Sequence, residues 1–191
     1  RMLGLPGEHE LIGKGISFCA VCDGAFYAGQ DTVMIGGGNS ALQEALLLSE
    51  VCSSVTVVQN LADFTGEKKL AEALLAKENV KVHFNTLVTG YLSENGSLTG
   101  VQVKNQATGE EMTIKADGAF LAVGLVPENG PFAHLAGLNP WGYFDSGEDC
   151  ATKTPGLFVA GDCRSKTIRQ VVTASADGAI AAMAACRYLE Q

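Results

Sequence analysis

The chain has 191 residues, 47% of them hydrophobic and 18% charged, with a formal charge of −8 at neutral pH. That length carries one good core or two small ones. An acidic chain with no long basic run argues against a nucleic-acid surface, and no apolar run is long enough to cross a bilayer. The opening Arg1-Met2-Leu3-Gly4-Leu5-Pro6-Gly7 lacks the basic-then-apolar pattern of a secretory leader, and Met in second place suggests a fragment or a processed chain. Six cysteines at irregular spacing are too sparse for a secreted disulfide framework. One close pair plus four ordinary thiols fits a cytoplasmic protein.

Residues 1–17 are expected to be a connecting segment, with turns at Pro6-Gly7 and Gly13-Lys14-Gly15. Phe18-Cys19-Ala20-Val21-Cys22-Asp23-Gly24 follows, with two thiols three positions apart and a carboxylate directly after the second. Asp31–Ile35 is predicted as a strand from its β-branched content, Asn39 to about Glu50 as a helix, and Ser54–Val58 as a second strand. A strand, turn, helix and strand in this order close as a parallel pair. A helix over Glu67–Ala76 and a short strand over Val80–Phe84 continue the pattern. Leu87–Ser93, Leu98–Lys104 and Glu111–Ile114 then alternate with period 2, separated by Asn95-Gly96 and Thr108-Gly109, which predicts a three-stranded antiparallel meander. Gly118–Gly124 returns as a buried strand. The Pro-, Gly- and Asn-rich stretch after it places a boundary near Val126-Pro127. Gly156–Asp162 is predicted as another buried strand, and Ile168–Leu189 as a long helix whose pattern is interrupted at Asp177-Gly178.

Three places carry candidate chemistry. Gly36-Gly37-Gly38-Asn39-Ser40-Ala41 matches G-x-G-x-x-A between a strand and a helix. The first glycine allows the tight turn, the second admits a pyrophosphate to the backbone, and the small last residue lets helix pack on strand. The alternative is a Gly-rich loop of some other α/β protein. The choice of cofactor is read at the end of the second strand, about 20 residues on, where an acid takes a ribose 2′-hydroxyl and an arginine a 2′-phosphate. Gln59 and Asn60 stand there instead. They can hydrogen-bond a hydroxyl but bring no charge to a phosphate, so the sequence leans away from NADPH.

Cys19 and Cys22 read as a redox pair, as half a metal site, or as two unrelated thiols. Zinc takes four ligands, and three histidines without a second Cys-x-x-Cys do not supply them. Disulfide exchange needs one thiolate to attack and a neighbour to resolve. Asp23 could move a proton for that chemistry or simply cap a helix before Gly24. Gly161-Asp162 ends a predicted strand, where Asp162 could take a sugar-like hydroxyl chain or serve as a cap. Arg169 and Gln170 stand near a helix start that favours anions. Cys52, Cys150, Cys163 and Cys186 read as core or incidental thiols, and Trp141 as packing.

Taken in order, Cys-Ala-Val-Cys-Asp-Gly, Gly-Gly-Gly-Asn-Ser-Ala and Gly-Leu-Phe-Val-Ala-Gly-Asp with Arg169-Gln170 resemble the low-molecular-weight thioredoxin reductases over essentially the whole chain. The resemblance implies an α/β fold. Residues 1–125 would form a Rossmann-like nicotinamide-dinucleotide domain with an antiparallel meander, carrying the redox pair. Residues 126–191 would form the C-terminal portion of a second, FAD-binding Rossmann-like domain. It implies a homodimer when full length, FAD, electrons from NADPH or NADH, and a thioredoxin-like protein substrate. Cys22 would face the flavin, Cys19 would attack the partner disulfide, and Asp23 would be the acid/base. Gly36–Ala41, Gln59 and Gly124 would line the nicotinamide-dinucleotide site. Gly161 and Asp162 would hold the ribityl chain, and Arg169, Gln170 and Val171 would lie by the flavin and its phosphates. Hinges for a swing of the inserted domain would fall near Arg1 and Gly124.

Two departures stand out. The N-terminal FAD segment is not in this sequence, so these 191 residues alone are expected to hold FAD poorly. Where NADPH-using members carry His-Arg-Arg…Arg, this chain has Gln59, Asn60, Leu61 and Thr65. NADH or another donor such as ferredoxin then becomes an expectation, with a peroxidase-linked reductase or a non-catalytic dinucleotide module as rivals.

Overall fold

The computed structural model describes residues 1–190, and the chain divides into two compact units, Arg1–Gly124 and Leu125–Gln191. In the first unit, five parallel strands run in the order β1-β8-β2-β3-β4: β1 (Ile16–Ser17), β2 (Asp31–Ile35), β3 (Ser54–Val58), β4 (Val80–His83) and β8 (Gly118–Leu121). A separate antiparallel sheet holds β5 (Thr86–Glu94), β6 (Ser97–Asn105) and β7 (Glu111–Lys115). Helices α1 (Ala20–Asp23), α2 (Asn39–Val51) and α3 (Lys68–Leu75) complete the unit.

The middle strand shows why the layers form. Side chains on a strand alternate between faces. Val33 and Ile35 of β2 pack with Leu98, Val101 and Val103 of the meander, while Met34 packs with Ala41, Leu42 and Leu48 of α2. Helices therefore cover one face of the parallel sheet and the meander covers the other, so β2 is buried on both sides from Thr32 onward. The β5–β6 turn has Asn95 and Gly96 both at positive φ, 52° and 79°, as the Asn-Gly signal requires.

The segment before Cys19 is more than a connection. Ile16 and Ser17 pair parallel with Ala119 and Phe120 and form the edge strand β1. Upstream, the Glu8 carboxylate is 1% exposed and accepts N–H groups from Leu3, Gly4 and Leu5 at 3.0, 2.7 and 3.3 Å and the Tyr91 hydroxyl at 2.9 Å. The predicted strand over Gly118–Gly124 ends at Leu121, after which the chain leaves the ladder.

The second unit is built mainly of turns. Its small core joins Ala136, Phe144 and Val159, with Leu138, Leu157 and Cys163 against them. Here Gly156–Asp162 is not a strand. Among the described residues its one β-bridge is Ala151–Phe158, and an apolar run without a continuous partner ladder stays irregular. Helix α4 (Val171–Leu189) passes through Asp177-Gly178 without a break. Asp177 is buried because it is an anchor. Its carboxylate accepts both Nε and Nη2 of Arg164, at 2.8 and 3.1 Å, Lys166 Nζ at 2.7 Å and the Gly161 N–H at 3.0 Å. Among the described residues no helix is long and apolar enough to cross a membrane.

Hydrogen bonding from Arg164, opposed by burial, holds the Asp177 carboxyl well below the usual carboxylate range. A depressed folded value stabilises the fold above the ordinary carboxylate pKa of about 4, and that stabilisation is lost as pH falls toward the folded value. Asp177→Ala, which strands two buried cations, is expected to lower the stability of the full-length protein by about 3 kcal/mol at pH 7. The difference between variant and wild type should shrink below about pH 4 in denaturant titrations.

Candidate functional site

The Gly-rich turn connects the carboxyl end of β2 to α2. Gly36 lies at φ +133°, and a Cβ there would sit 2.4 Å from the Ala122 carbonyl oxygen. Only glycine allows that approach, and the same Cβ position is 3.3 Å from Ala41, which is why the last residue of the motif is small. Gly38 differs: its φ is −85°, and the nearest atom to a Cβ is Thr65 Oγ1 at 3.8 Å. It is the N-cap of α2 and brings no side chain, so the first-turn N–H groups of the helix remain free for an anion.

These features border a cleft of about 340 Å³ at the carboxyl ends of β2, β3 and β8, lined by Ile35, Gly36, Gly38, Val58, Gln59 and Ala122 among others. The strand order reverses direction about β2, the point at which open α/β sheets hold ligands.

Gln59 sits in this cleft, but its amide is not free. It is 3% exposed, its Nε2 donates to Asp63 O at 3.1 Å and its Oε1 accepts Asn60 N–H at 3.1 Å. One donor and one acceptor of the Gln59 amide are thus committed to the loop that follows β3. Its side chain fills the space under Gly37, where a Cβ would meet Gln59 Nε2 at 2.3 Å. Asn39 is likewise engaged: its Oδ1 accepts the Glu67 N–H at 2.6 Å at the start of α3. Ser40 is exposed. Thr65 and Gly66 donate their N–H groups to Gly37 O at 2.8 and 3.1 Å and brace the loop from outside. Arg1 is the single cationic side chain among the described residues lining the cleft. Gly124, at φ +97°, accepts the Arg1 backbone nitrogen at 3.1 Å.

The cysteine pair stands at the end of β1. Cys19 and Cys22 form a disulfide, with Cys19 partly buried and Cys22 exposed. Cys19 is the N-cap of α1, and its Sγ accepts the Cys22 N–H at 3.1 Å. Asp23 makes no side-chain cap; its Oδ2 accepts the Ser17 hydroxyl at 2.6 Å, and Ser17 Oγ in turn accepts the Cys19 N–H at 3.1 Å. Gly24 packs closely on α2: a Cβ there would lie 3.2 Å from Leu48 Cδ2. One further hydrogen bond joins the two motifs: Ala20 N–H donates to Glu44 Oε2 of α2 at 2.8 Å. Burial, partly offset by that bond, raises the Glu44 pKa. Val21 and Phe26, 80% and 78% exposed, leave an apolar rim beside the pair.

In the second unit, Gly161 at φ +84° turns the chain, and Asp162 is exposed with no partner for its carboxylate among the described residues. Arg169 Nε donates to Asp162 O at 3.3 Å, and its guanidinium lies 4.0 Å from the centre of the Tyr143 ring. Gln170 is the N-cap of α4, its backbone N–H donating to Thr173 Oγ1, and Val171 follows, 82% exposed.

The family model for pyridine nucleotide-disulphide oxidoreductases matches residues 1–178. The chain belongs to this family. It is 40% identical over 191 residues to the thioredoxin reductase of Bacillus subtilis (strain 168), covering 100% of this chain and 60% of that relative. Among solved structures it superposes on thioredoxin reductase from Lactococcus lactis with a TM-score of 0.84 at 33% identity, covering 100% of this chain and 63% of that one. The T. acidophilum thioredoxin reductase gives 0.81 at 34%, with 100% and 62% covered. The chain is therefore a partial homologue spanning about 60% of its curated relatives' length. Members of this oxidoreductase family use FAD and a pyridine nucleotide.

Ser17 and Glu44 were missed in the sequence; Thr65 and Asp177 were noted there, but not for the contacts they make. For Glu44 a signal existed: it falls on the inward stripe of α2 with Ala41, Ala45 and Leu48. Gly36→Ala is expected to destabilise the protein by about 2 kcal/mol, since it adds both strain and a clash with backbone. Gly38→Ala should stay within about 0.5 kcal/mol of wild type. Parallel denaturant unfolding curves check the contrast.

Proposed function

We propose that this chain is the dinucleotide-binding and redox-active part of a thioredoxin reductase, together with the C-terminal portion of its FAD-binding domain. The boundary lies near residue 125. The reading places the protein in the cytoplasm as a homodimer when full length, reducing a thioredoxin-like protein. The observation that carries it is the Cys19–Cys22 disulfide, seated on a helix that is hydrogen-bonded to the helix of the Gly-rich loop.

The residues suit the roles that follow. The free N–H groups at the start of α2 and the open backbone at Gly38 fit a pyrophosphate, with Ser40 and Ala41 on the same turn. The unpartnered Asp162 carboxylate fits a hydroxyl chain, and Gly161, Arg169, Gln170 and the exposed Val171 fit the surface that FAD would cover. FAD held there would supply two-electron transfer between a nicotinamide and the Cys19–Cys22 disulfide. Reduction takes those two electrons and two protons and leaves two thiols. The Cys22 N–H aimed at Cys19 Sγ would stabilise a Cys19 thiolate, which attacks the substrate disulfide to give a mixed disulfide and release one substrate thiolate. Cys22 then attacks Cys19, restoring the internal disulfide and releasing the second thiolate. Asp23, next to Cys22, accepts and returns the proton, oriented by Ser17.

For the electron donor, the absence of arginine at 59–61 and 65 leaves no charge there to meet a 2′-phosphate and favours NADH over NADPH. The same absence supports a second reading, a donor such as ferredoxin or a peroxidase-linked reductase. A non-catalytic dinucleotide module would have no use for the disulfide.

The test is anaerobic titration of the FAD-loaded natural full-length protein with each nucleotide, following flavin absorbance. NADH is expected to bleach it at concentrations about tenfold lower than NADPH, since one lost phosphate contact of about 1.4 kcal/mol is worth that factor. Preference for NADPH contradicts the donor reading, and bleaching only by reduced ferredoxin supports the second one. Gly38→Ala should weaken nucleotide binding about tenfold or more at nearly unchanged stability, measured by titration calorimetry.

A further inference from the structure

We propose that Glu44 is a positioning residue for the redox pair: through the Ala20 N–H it fixes the start of α1, and its negative charge beside Cys19 disfavours the Cys19 thiolate, making the dithiol a stronger reductant. This rests on reading Cys19–Cys22 as a redox couple.

Three N–H groups at the start of α1 are assigned. Cys22 N–H reaches Cys19 Sγ, Asp23 N–H reaches Cys19 O at 3.0 Å, and Ala20 N–H goes to Glu44 at 2.8 Å. Ala20 is 2% exposed and lies in the core with Ala41, Ala45 and Leu48. The Glu44 bond is therefore made in a half-buried position, where a carboxylate keeps much of its electrostatic influence. Among the described residues no lysine or arginine pairs with Glu44, whereas Glu50 on the same helix pairs with Lys77. The charge is thus uncompensated, and it sits at the peptide joining Cys19 to Ala20. Donors at a helix start lower a thiol's pKa. A carboxylate that takes one of those donors and adds a negative charge works in the opposite sense. A thiol harder to ionise leaves the reduced form less stabilised, and the couple more reducing.

Thiol–disulfide equilibrium reads this without any cofactor. The reaction is the Cys19–Cys22 disulfide plus two glutathione thiols giving two protein thiols plus glutathione disulfide. Full-length wild type, Glu44→Gln, Glu44→Ala and Glu50→Gln are equilibrated in glutathione buffers at pH 7.5, quenched with an alkylating agent and weighed by mass spectrometry. Gln keeps an acceptor for the Ala20 N–H and removes only the charge. The expected result is a shift toward dithiol on the order of fivefold for Glu44→Gln and Glu44→Ala alike, with Glu50→Gln at the wild-type value. If Glu44→Gln coincides with wild type within twofold, or Glu50→Gln shifts equally, the charge role is overturned and Glu44 is only a structural acceptor. If the wild-type pair is reduced neither in glutathione buffers nor by excess dithiothreitol, both this inference and the redox reading fall. The first two results leave the redox reading intact, so the failures are distinguishable.

Discussion

Two residues of pairing decide where the chemistry sits. Ile16 and Ser17 join the sheet only opposite Ala119 and Phe120, yet that short ladder delivers Cys19 to the carboxyl edge of the parallel sheet. The Gly-rich turn leaves β2 at the same edge, because β8 lies between β1 and β2 and all three run parallel. The Ser17 hydroxyl, at the last paired position, then ties Cys19 and Asp23 together. The register of β1 thus sets the Cys19–Cys22 pair, Asp23 and their place relative to the turn in one step. A slip by one residue would turn Ser17 to the other face and separate them.

Inward carboxylates show how the fold manages charge. Glu8 is held by three backbone N–H groups and a tyrosine hydroxyl, Asp177 by two cations and one N–H, and Glu44 by one N–H alone. The first two are fully engaged and serve structure: Glu8 pins residues 3–5 to the meander, and Asp177 pins the Gly161 turn to α4. Of these three Glu44 is the least compensated, and its one donor belongs to Ala20, next to Cys19. Buried charge costs free energy unless it is paired and hydrogen-bonded, so the single N–H on Glu44 sets it apart from the two structural carboxylates.

Much of this was legible in the sequence where local chemistry dictated geometry. The Gly36–Ala41 loop, the strands around it and the Asn95-Gly96 hairpin all follow from steric limits on a few residues. The edge strand β1 was not legible, since two residues carry no period. Gly156–Asp162 misled for a different reason: its apolar run suggested a strand, but pairing is a tertiary property that the run itself does not encode. Asp177 looked like a helix breaker because an isolated acid in an Ala-rich helix gives no hint of Arg164 and Lys166 folding back onto it. The partner that engages the Gln59 amide, the Asp63 carbonyl, was not legible, as it lies in a loop of no regular pattern.

The central claim is that Cys19 and Cys22 act as an attacking and a resolving thiol toward a thioredoxin-like disulfide. Trapping the mixed disulfide tests it most directly. The full-length Cys22→Ser and Cys19→Ser variants are incubated with oxidised thioredoxin, and the products are weighed by mass spectrometry under non-reducing conditions. The account predicts a covalent complex through Cys19 in Cys22→Ser and little or none in Cys19→Ser. Capture by Cys19→Ser instead, or by neither variant, would contradict it.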